Sequence, residues 1–215
     1  MSCFVVQSVS KCYKRGTAQE VWALRDVSLS IPQGSFTVLT GPSGSGKTTL
    51  VGLLGALDRP TQGHVLFQGQ DLGACSDVGL ARLRRRMGFV FQTFALIPRL
   101  PVWENIAYPL IPRGVARASR YEIARSLLER CGIANTIAKT PEDLSTGEQQ
   151  RIGMARALAG QPEVLLADEP TSNLDARSAD LLLALLHELH SKGNTVIVAS
   201  HDRTLVSRAT VVLEL

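Results

Sequence analysis

The run Gly41-Pro42-Ser43-Gly44-Ser45-Gly46-Lys47-Thr48-Thr49 lies between the apolar segment Phe36–Leu39 and a helix-like segment, Leu50 to Leu57. It satisfies the phosphate-loop pattern G-x-x-x-x-G-K-[ST] through Gly41, Gly46, Lys47 and Thr48. Glycines let successive backbone N–H groups wrap phosphate oxygens without a Cβ in the way. The start of the following helix adds partial positive charge. Lys47 is placed to reach the β- and γ-phosphates, and the Thr48 hydroxyl to ligate Mg²⁺. With Pro42, Ser43, Gly44, Ser45 and Thr49 completing the backbone cradle, the run predicts nucleotide binding. The alternative is an ordinary Gly/Ser turn, and the complete pattern in a strand–loop–helix context argues against it.

Apolar, strand-like runs recur outward from this loop at Phe4–Val9, Val27–Ile31, Phe36–Leu39, Val65–Phe67, Gly88–Phe91, Val164–Ala167, Thr195–Ala199 and Val211–Leu213. Several are short, β-branched and unalternating, as strands buried on both faces are. Helical spacing appears between the later ones. Ile123, Leu127, Leu128 and Cys131 share one face, and Leu182, Leu183, Leu186 and Leu189 another. Strands alternating with helices predict a mostly parallel, helix-covered α/β sheet. The segment from about 93 to 160 is mainly helical and broken by Pro98, Pro101, Pro109, Pro112 and Pro141. It reads as a helical subdomain inserted between two strands of a single 1–215 domain.

Composition narrows the function classes. The chain has 215 residues, 45% hydrophobic and 20% charged, which suits one α/β domain with an ample core. No apolar stretch approaches a membrane span, and the N-terminus lacks the pattern of a signal peptide, so a cytosolic location is expected. Cys3, Cys12, Cys75 and Cys131 form no C-x-x-C pair and read as reduced thiols. His187 and His190 read as a solvated helix face. Net charge is +4, and Arg82, Arg84, Arg85 and Arg86 form a local basic run. Without aromatic partners that run reads as a solvated helix face, so no nucleic-acid partner is expected.

Four further segments carry polar residues at the ends of apolar runs. Phe89-Val-Phe-Gln92 ends in Gln; Leu144-Ser-Thr-Gly-Glu-Gln-Gln-Arg151 opens a helix; Val164-Leu-Leu-Ala-Asp-Glu-Pro170 ends in two acids; Ala199-Ser-His-Asp202 ends in His. Each also has a local explanation. Ser145 and Glu148 make a capping box, Asp175 suits a helix N-cap, and His201 suits a loop hydrogen bond. All of them beside a complete phosphate loop are improbable as coincidence.

Together these segments resemble the ATP-binding subunits of ABC transporters along nearly the whole chain. The resemblance implies a P-loop NTPase (RecA-like), mostly parallel core with an N-terminal antiparallel β subdomain and an inserted α-helical signature subdomain. It matches Gln92 to the Q-loop, Leu144–Glu148 to the signature motif, Asp168 and Glu169 to the end of Walker B, Ser172-Asn-Leu-Asp175 to the D-loop and His201 to the switch histidine. It implies ATP and Mg²⁺, with Thr48, Gln92 and Asp168 serving the metal and Glu169 polarising the attacking water. Lys47 would reach the γ-phosphate, His201 would contact it and the water, and Gln92 would sense Mg²⁺ and that water. Tyr13 falls where the family stacks an aromatic on adenine, the alternative being a surface tyrosine; Trp22 is a weaker candidate.

Two domains would pack head to tail, so that Ser145, Gly147 and Glu148 of one chain, with Asp175, complete the ATP site of the other. The signature departs from L-S-G-G-Q at Thr146 and Glu148. Thr146 would hinder closure if its φ must be positive, or fit at no cost otherwise. Gly41–Leu50, Leu53–Gly63, Val102–Ile106 and Leu166–Asp175 resemble the macrolide-exporter, lipoprotein-release and cell-division group. That group implies a separate integral membrane permease and peripheral association with the inner face of the plasma membrane. The contact surface would be the groove after Gln92, lined by Phe94, Leu96, Ile97, Pro98, Leu100 and Trp103, some of which must instead form the subdomain's own core. Both an export engine for a lipid, lipoprotein or drug-like substrate and a non-transporting mechanical switch fit. No C-terminal regulatory domain is expected.

Overall fold

The computed structural model describes residues 1–172 and 174–215; Asn173 of the D-loop match lies outside them. β1 (Ser2–Tyr13) and β2 (Val21–Pro32) precede β3 (Phe36–Thr40), which feeds the glycine-rich loop and α1 (Lys47–Leu54). β4 (Gln62–Phe67), the short β5 (Gln70–Asp71), α2 (Asp77–Arg84) and β6 (Met87–Val90) follow. Then come α3 (Val102–Ala107), α4 (Arg117–Arg130), α5 (Thr146–Ala159) and β7 (Val164–Asp168). After these stand α6 (Ala176–Ser191), β8 (Thr195–Ala199), α7 (Arg203–Arg208) and β9 (Val211–Glu214).

The strands make two sheets. One is antiparallel in the order β2-β1-β4-β5; the other is parallel in the order β6-β7-β8-β3-β9. Every apolar run read as a strand is one. β5 was not read, being only two residues long. β1 and β2 extend well beyond their apolar cores because Ser8 and Asp26, both at positive φ, sit at shifts in their pairing register. Such bulges break the alternation that marks a strand in sequence.

The parallel strands are buried on both faces, and alternate residues serve two cores. Leu165, Ala167, Val196 and Val198 pack with α3 to α6 on one side; Val164, Leu166, Ile197 and Ala199 pack with α1 and the antiparallel sheet on the other. His187 and His190 do not form a solvated face: their rings pack at 5.3 and 5.9 Å from that of Phe36. Three of the four clustered arginines are engaged within the fold. Arg84 donates to the Ala56 carbonyl, Arg85 to that of Pro112, and Arg86 pairs with Glu163. Among the described residues no helix is long and apolar enough to cross a membrane.

The loop leaving β6 is pinned by Asn105, which is fully buried on α3. Its side chain accepts from Ile97 N at 2.7 Å and donates to the Ile97 and Leu100 carbonyls at 3.1 and 2.9 Å. Asn105→Ala strands these backbone groups, at a cost of about 2–4 kcal/mol. The urea unfolding midpoint is expected to fall accordingly; an unchanged midpoint would show that water replaces the amide.

Candidate nucleotide site

The register of the parallel sheet brings the predicted residues to one edge. Leu39 and Asp168 both pair with Ala199, and Val90 pairs with Ala167, so the carboxyl ends of β3, β8, β7 and β6 lie level. In open α/β sheets that edge is where ligands bind.

The phosphate loop leaves β3 at Gly41 (φ 142°) and turns through Gly44 (φ 84°) to Gly46 (φ 95°), which caps α1 in the left-handed conformation. A Cβ at Gly46 would meet the Ala23 carbonyl and stand 2.5 Å from Leu24 Cδ2. Both the conformation and the space therefore demand glycine. α1 starts at Lys47, earlier than the apolar spacing suggested, because this glycine rather than a Ser or Asp forms the cap. Lys47 Nζ donates to the Gly41 and Pro42 carbonyls at 2.8 and 3.0 Å, folding its ammonium over the loop. Pro42, Ser43, Gly44 and Thr48 are exposed on the same loop and helix start.

Asp168 closes β7, only 7% exposed, and its Oδ1 has no hydrogen-bond partner among the described residues. Burial pushes its carboxyl above the ordinary value, the Glu169 charge adds to this, and Thr48 and Lys47 oppose it. A buried carboxylate oxygen without a donor, beside the Thr48 hydroxyl, is the hard oxygen environment that a divalent cation prefers. The residues present fit Mg²⁺.

Glu169 adopts φ 43°, an uncommon conformation for a residue with a Cβ. It is held there by its N–H on the Ala199 carbonyl at 2.8 Å and by the Ser172 hydroxyl on its own carbonyl at 2.7 Å. The turn aims its carboxylate at the end of β8. Oε1 lies 3.0 Å from His201 Nδ1, and Oε2 accepts from the Ser200 hydroxyl at 3.2 Å. The Glu169 side chain is 14% exposed and that of His201 79%, a shielded carboxylate next to an accessible imidazole. Gln92, just beyond β6, is exposed.

The signature segment lies on α5. Ser145 caps the helix: its hydroxyl donates to Glu148 Oε2 at 2.8 Å and accepts from Glu148 N, while Ser145 N donates to the same carboxylate at 2.9 Å. The Ser145 N–H and hydroxyl hydrogen bonds hold the Glu148 carboxyl below the usual range. Thr146 begins the helix, with helical rather than positive φ, so the condition under which it would strain the backbone is not met. Gly147 is required by space, since a Cβ there would lie 2.7 Å from Ser178 Oγ. Asp175 caps α6 and accepts from Ser178 N at 2.8 Å.

Sequence reasoning missed three groups. Ser200 bonds the Glu169 carboxylate; Gln150, buried, donates to the Pro170 carbonyl at 2.9 Å. Arg156 donates to the Phe94 and Ala95 carbonyls at 2.6 and 2.5 Å, gripping two successive left-handed residues just beyond Gln92. A charged residue inside the apolar stretch Ile152–Ala159 was the available signal. Tyr13 ends β1 and is 40% exposed as a residue. Trp22 lies on β2 opposite Cys12, its indole N–H bonded to Glu20 and its face covered by Arg25.

A family model for ABC transporters matches residues 24–172. The chain belongs to the ABC transporter family. An uncharacterized ABC transporter ATP-binding protein of Thermotoga maritima is 43% identical over 208 residues, covering 96% of this chain and 88% of that protein. The pyoverdine export ATP-binding/permease protein PvdT of Pseudomonas fluorescens is 44% identical over 211 residues, and the macrolide export ATP-binding/permease protein MacB 2 of Aeromonas hydrophila 43% over 205. These cover 98% and 95% of this chain, which spans 32% of each of them. The dimeric post-hydrolysis state of the ATP-binding cassette MJ0796, bound to ADP and Pi, superimposes with a TM-score of 0.93 at 36% identity, covering 99% of this chain and 94% of that one. The fold is that of a P-loop ABC cassette, an antiparallel β sheet beside a parallel core. The protein is an ABC-type ATPase that binds ATP, and it groups with the macrolide-exporter relatives that its sequence resembles.

In this ABC ATPase the raised Asp168 carboxyl has a consequence for stability. Its folded value lies above the ordinary 3.8, so its contribution is full below that pH and is lost as pH rises through the raised value. At pH 7 the charge is a cost on the nucleotide-free fold. Asp168→Asn is expected to raise the urea midpoint of nucleotide-free protein at pH 7, with the gain shrinking as pH falls toward 4. Equal midpoints at pH 7 would mean that the carboxylate is already compensated.

Proposed function

We propose that this ATPase powers export of a lipid, lipoprotein or drug-like substrate through integral membrane permease subunits, working as a head-to-tail pair with ATP between the two chains. The observation that carries the reading is the shielded Glu169 carboxylate, turned by its left-handed backbone onto His201 beside the phosphate loop. Residues 1–215 act as one cassette, with the helices between 93 and 160 as its signature arm.

The backbone from Gly41 to Thr49 and the Lys47 ammonium hold the phosphates, and Tyr13 stacks on the adenine. Thr48, Asp168 and Gln92 would hold Mg²⁺, which would offset the negative charge on the phosphates during transfer. Glu169 accepts the proton of the attacking water, and His201 orients that water and contacts the γ-phosphate. Little covalent chemistry is left to the protein, so positioning and charge account for catalysis. Ser145, Gly147 and Glu148 of the partner copy, at a helix N-terminus, approach the same phosphates, and Asp175 lies at the contact. The dimers formed by the MJ0796 cassette support the pairing. Relatives named as ATP-binding/permease proteins support the membrane partner. The cassette would then lie in the cytoplasm against the inner face of the plasma membrane.

Of the residues expected to line the permease-docking groove, two also serve the fold. Leu96 and Trp103 pack against the cassette's own core. A cleft of about 540 Å³, walled by Phe89, Phe91 and Tyr108 and edged by Arg84 and Arg113, offers a further apolar surface. An apolar cleft of this kind suits a partner segment.

Glu169→Gln keeps the shape of the side chain but not its basicity. It is expected to bind ATP, to lose at least a hundredfold in kcat, and to accumulate as a dimer in size-exclusion chromatography with ATP. Turnover close to that of the parent would remove Glu169 from the role of base. Lys47→Ala is expected to weaken ATP binding and abolish most hydrolysis, read by titration and phosphate release. In the parent, turnover per chain should rise with protein concentration and require Mg²⁺; concentration-independent turnover would contradict the pairing.

A further inference from the structure

The base platform has a support of its own. Lys11, near the end of β1, places Nζ 4.9 Å from the centre of the Tyr13 ring. The Lys11 side chain is only 11% exposed, and its ammonium is fixed by Asp58 Oδ1 at 2.6 Å and the Arg59 carbonyl at 2.8 Å. Asp58 is itself anchored, accepting from Arg59 N at 2.7 Å. Burial works against its charge, yet the bonds from Lys11 and Arg59 N–H, with Tyr13 nearby, hold its carboxyl below the usual range. A second tie is Thr61, whose hydroxyl accepts from Cys12 N at 3.0 Å while its N–H donates to the Ser10 carbonyl at 2.8 Å.

These residues come shortly after α1, whose first residue is Lys47 of the phosphate loop. One short helix therefore joins the phosphate cradle to the clamp beside Tyr13, fixing the span between the two ends of a nucleotide. An ammonium over one face of an aromatic ring is attracted by its quadrupole. With that face covered, a base has the opposite face to stack on.

We propose that Lys11, held by Asp58, is a positioning residue that sets the orientation of Tyr13 as the stacking face for the purine base. This rests on the reading of Tyr13 as the base platform.

The test measures KM and kcat for ATP hydrolysis, with inorganic tripolyphosphate as a competitor that has no base. Lys11→Met and Asp58→Asn are each expected to raise KM for ATP about three- to tenfold, with the change in KM rather than kcat and the tripolyphosphate inhibition constant unmoved. Lys11→Arg restores most of the affinity. In a Tyr13→Ala background Lys11→Met should add nothing. The Lys11→Met/Asp58→Asn double variant removes both charges, so a fold disturbed only by an orphaned carboxylate is recovered. An unchanged KM in Lys11→Met while Tyr13→Ala raises it overturns the support role and leaves the platform standing. Equal weakening of tripolyphosphate, or additive losses in the Tyr13→Ala background, also overturns it. If Tyr13→Ala itself leaves KM unmoved, the platform reading fails and the support role with it.

Discussion

The level carboxyl ends of β3, β8, β7 and β6 are the constraint on which the site depends. Parallel pairing fixes Leu39 and Asp168 against Ala199 and Val90 against Ala167. A slip of one residue would turn side chains on these strands to the opposite core and separate the acids from the phosphate loop. The register is secure because each strand is buried on both faces. Hydrophobic burial, remote from any chemistry, thus places Asp168, Glu169, His201 and Lys47 together.

The helices are fastened to that edge by few, specific contacts. α5 reaches the turn after Glu169 through Gln150 and the loop after Gln92 through Arg156. Its first turn meets α6 at Gly147 and Ser178 without room for a further carbon. The helix that presents Ser145 is therefore in touch with both the acidic turn and the loop carrying Gln92. A shift of α5 along its axis would be felt at each.

Much of this was legible in the sequence, for identifiable reasons. Gly41–Thr49 declared itself because its function needs residue types at fixed spacing. Val164–Ala167 and Thr195–Ala199 did so because strands covered on both faces become unbroken apolar runs. The bulges at Ser8 and Asp26 were hidden, since a positive φ at a residue with a side chain leaves no mark in composition. The left-handed turn at Glu169 was hidden for the same reason. Ser178 explains Gly147 from another helix altogether, and local spacing carries no trace of such a contact. His187 and His190 were misjudged because their partner, Phe36, belongs to a distant strand.

Among the described residues, Arg156 hydrogen-bonds main-chain carbonyls and no side chain. It reads the shape of the turn at 94–95 and is indifferent to which residues form it. Substitutions there are free to accumulate over evolutionary time provided the turn stays left-handed. Arg156 has no such latitude, because a lysine offers a point charge where a planar fork spans two oxygens. Drift in the loop and stasis at the arginine would be two signs of the same contact.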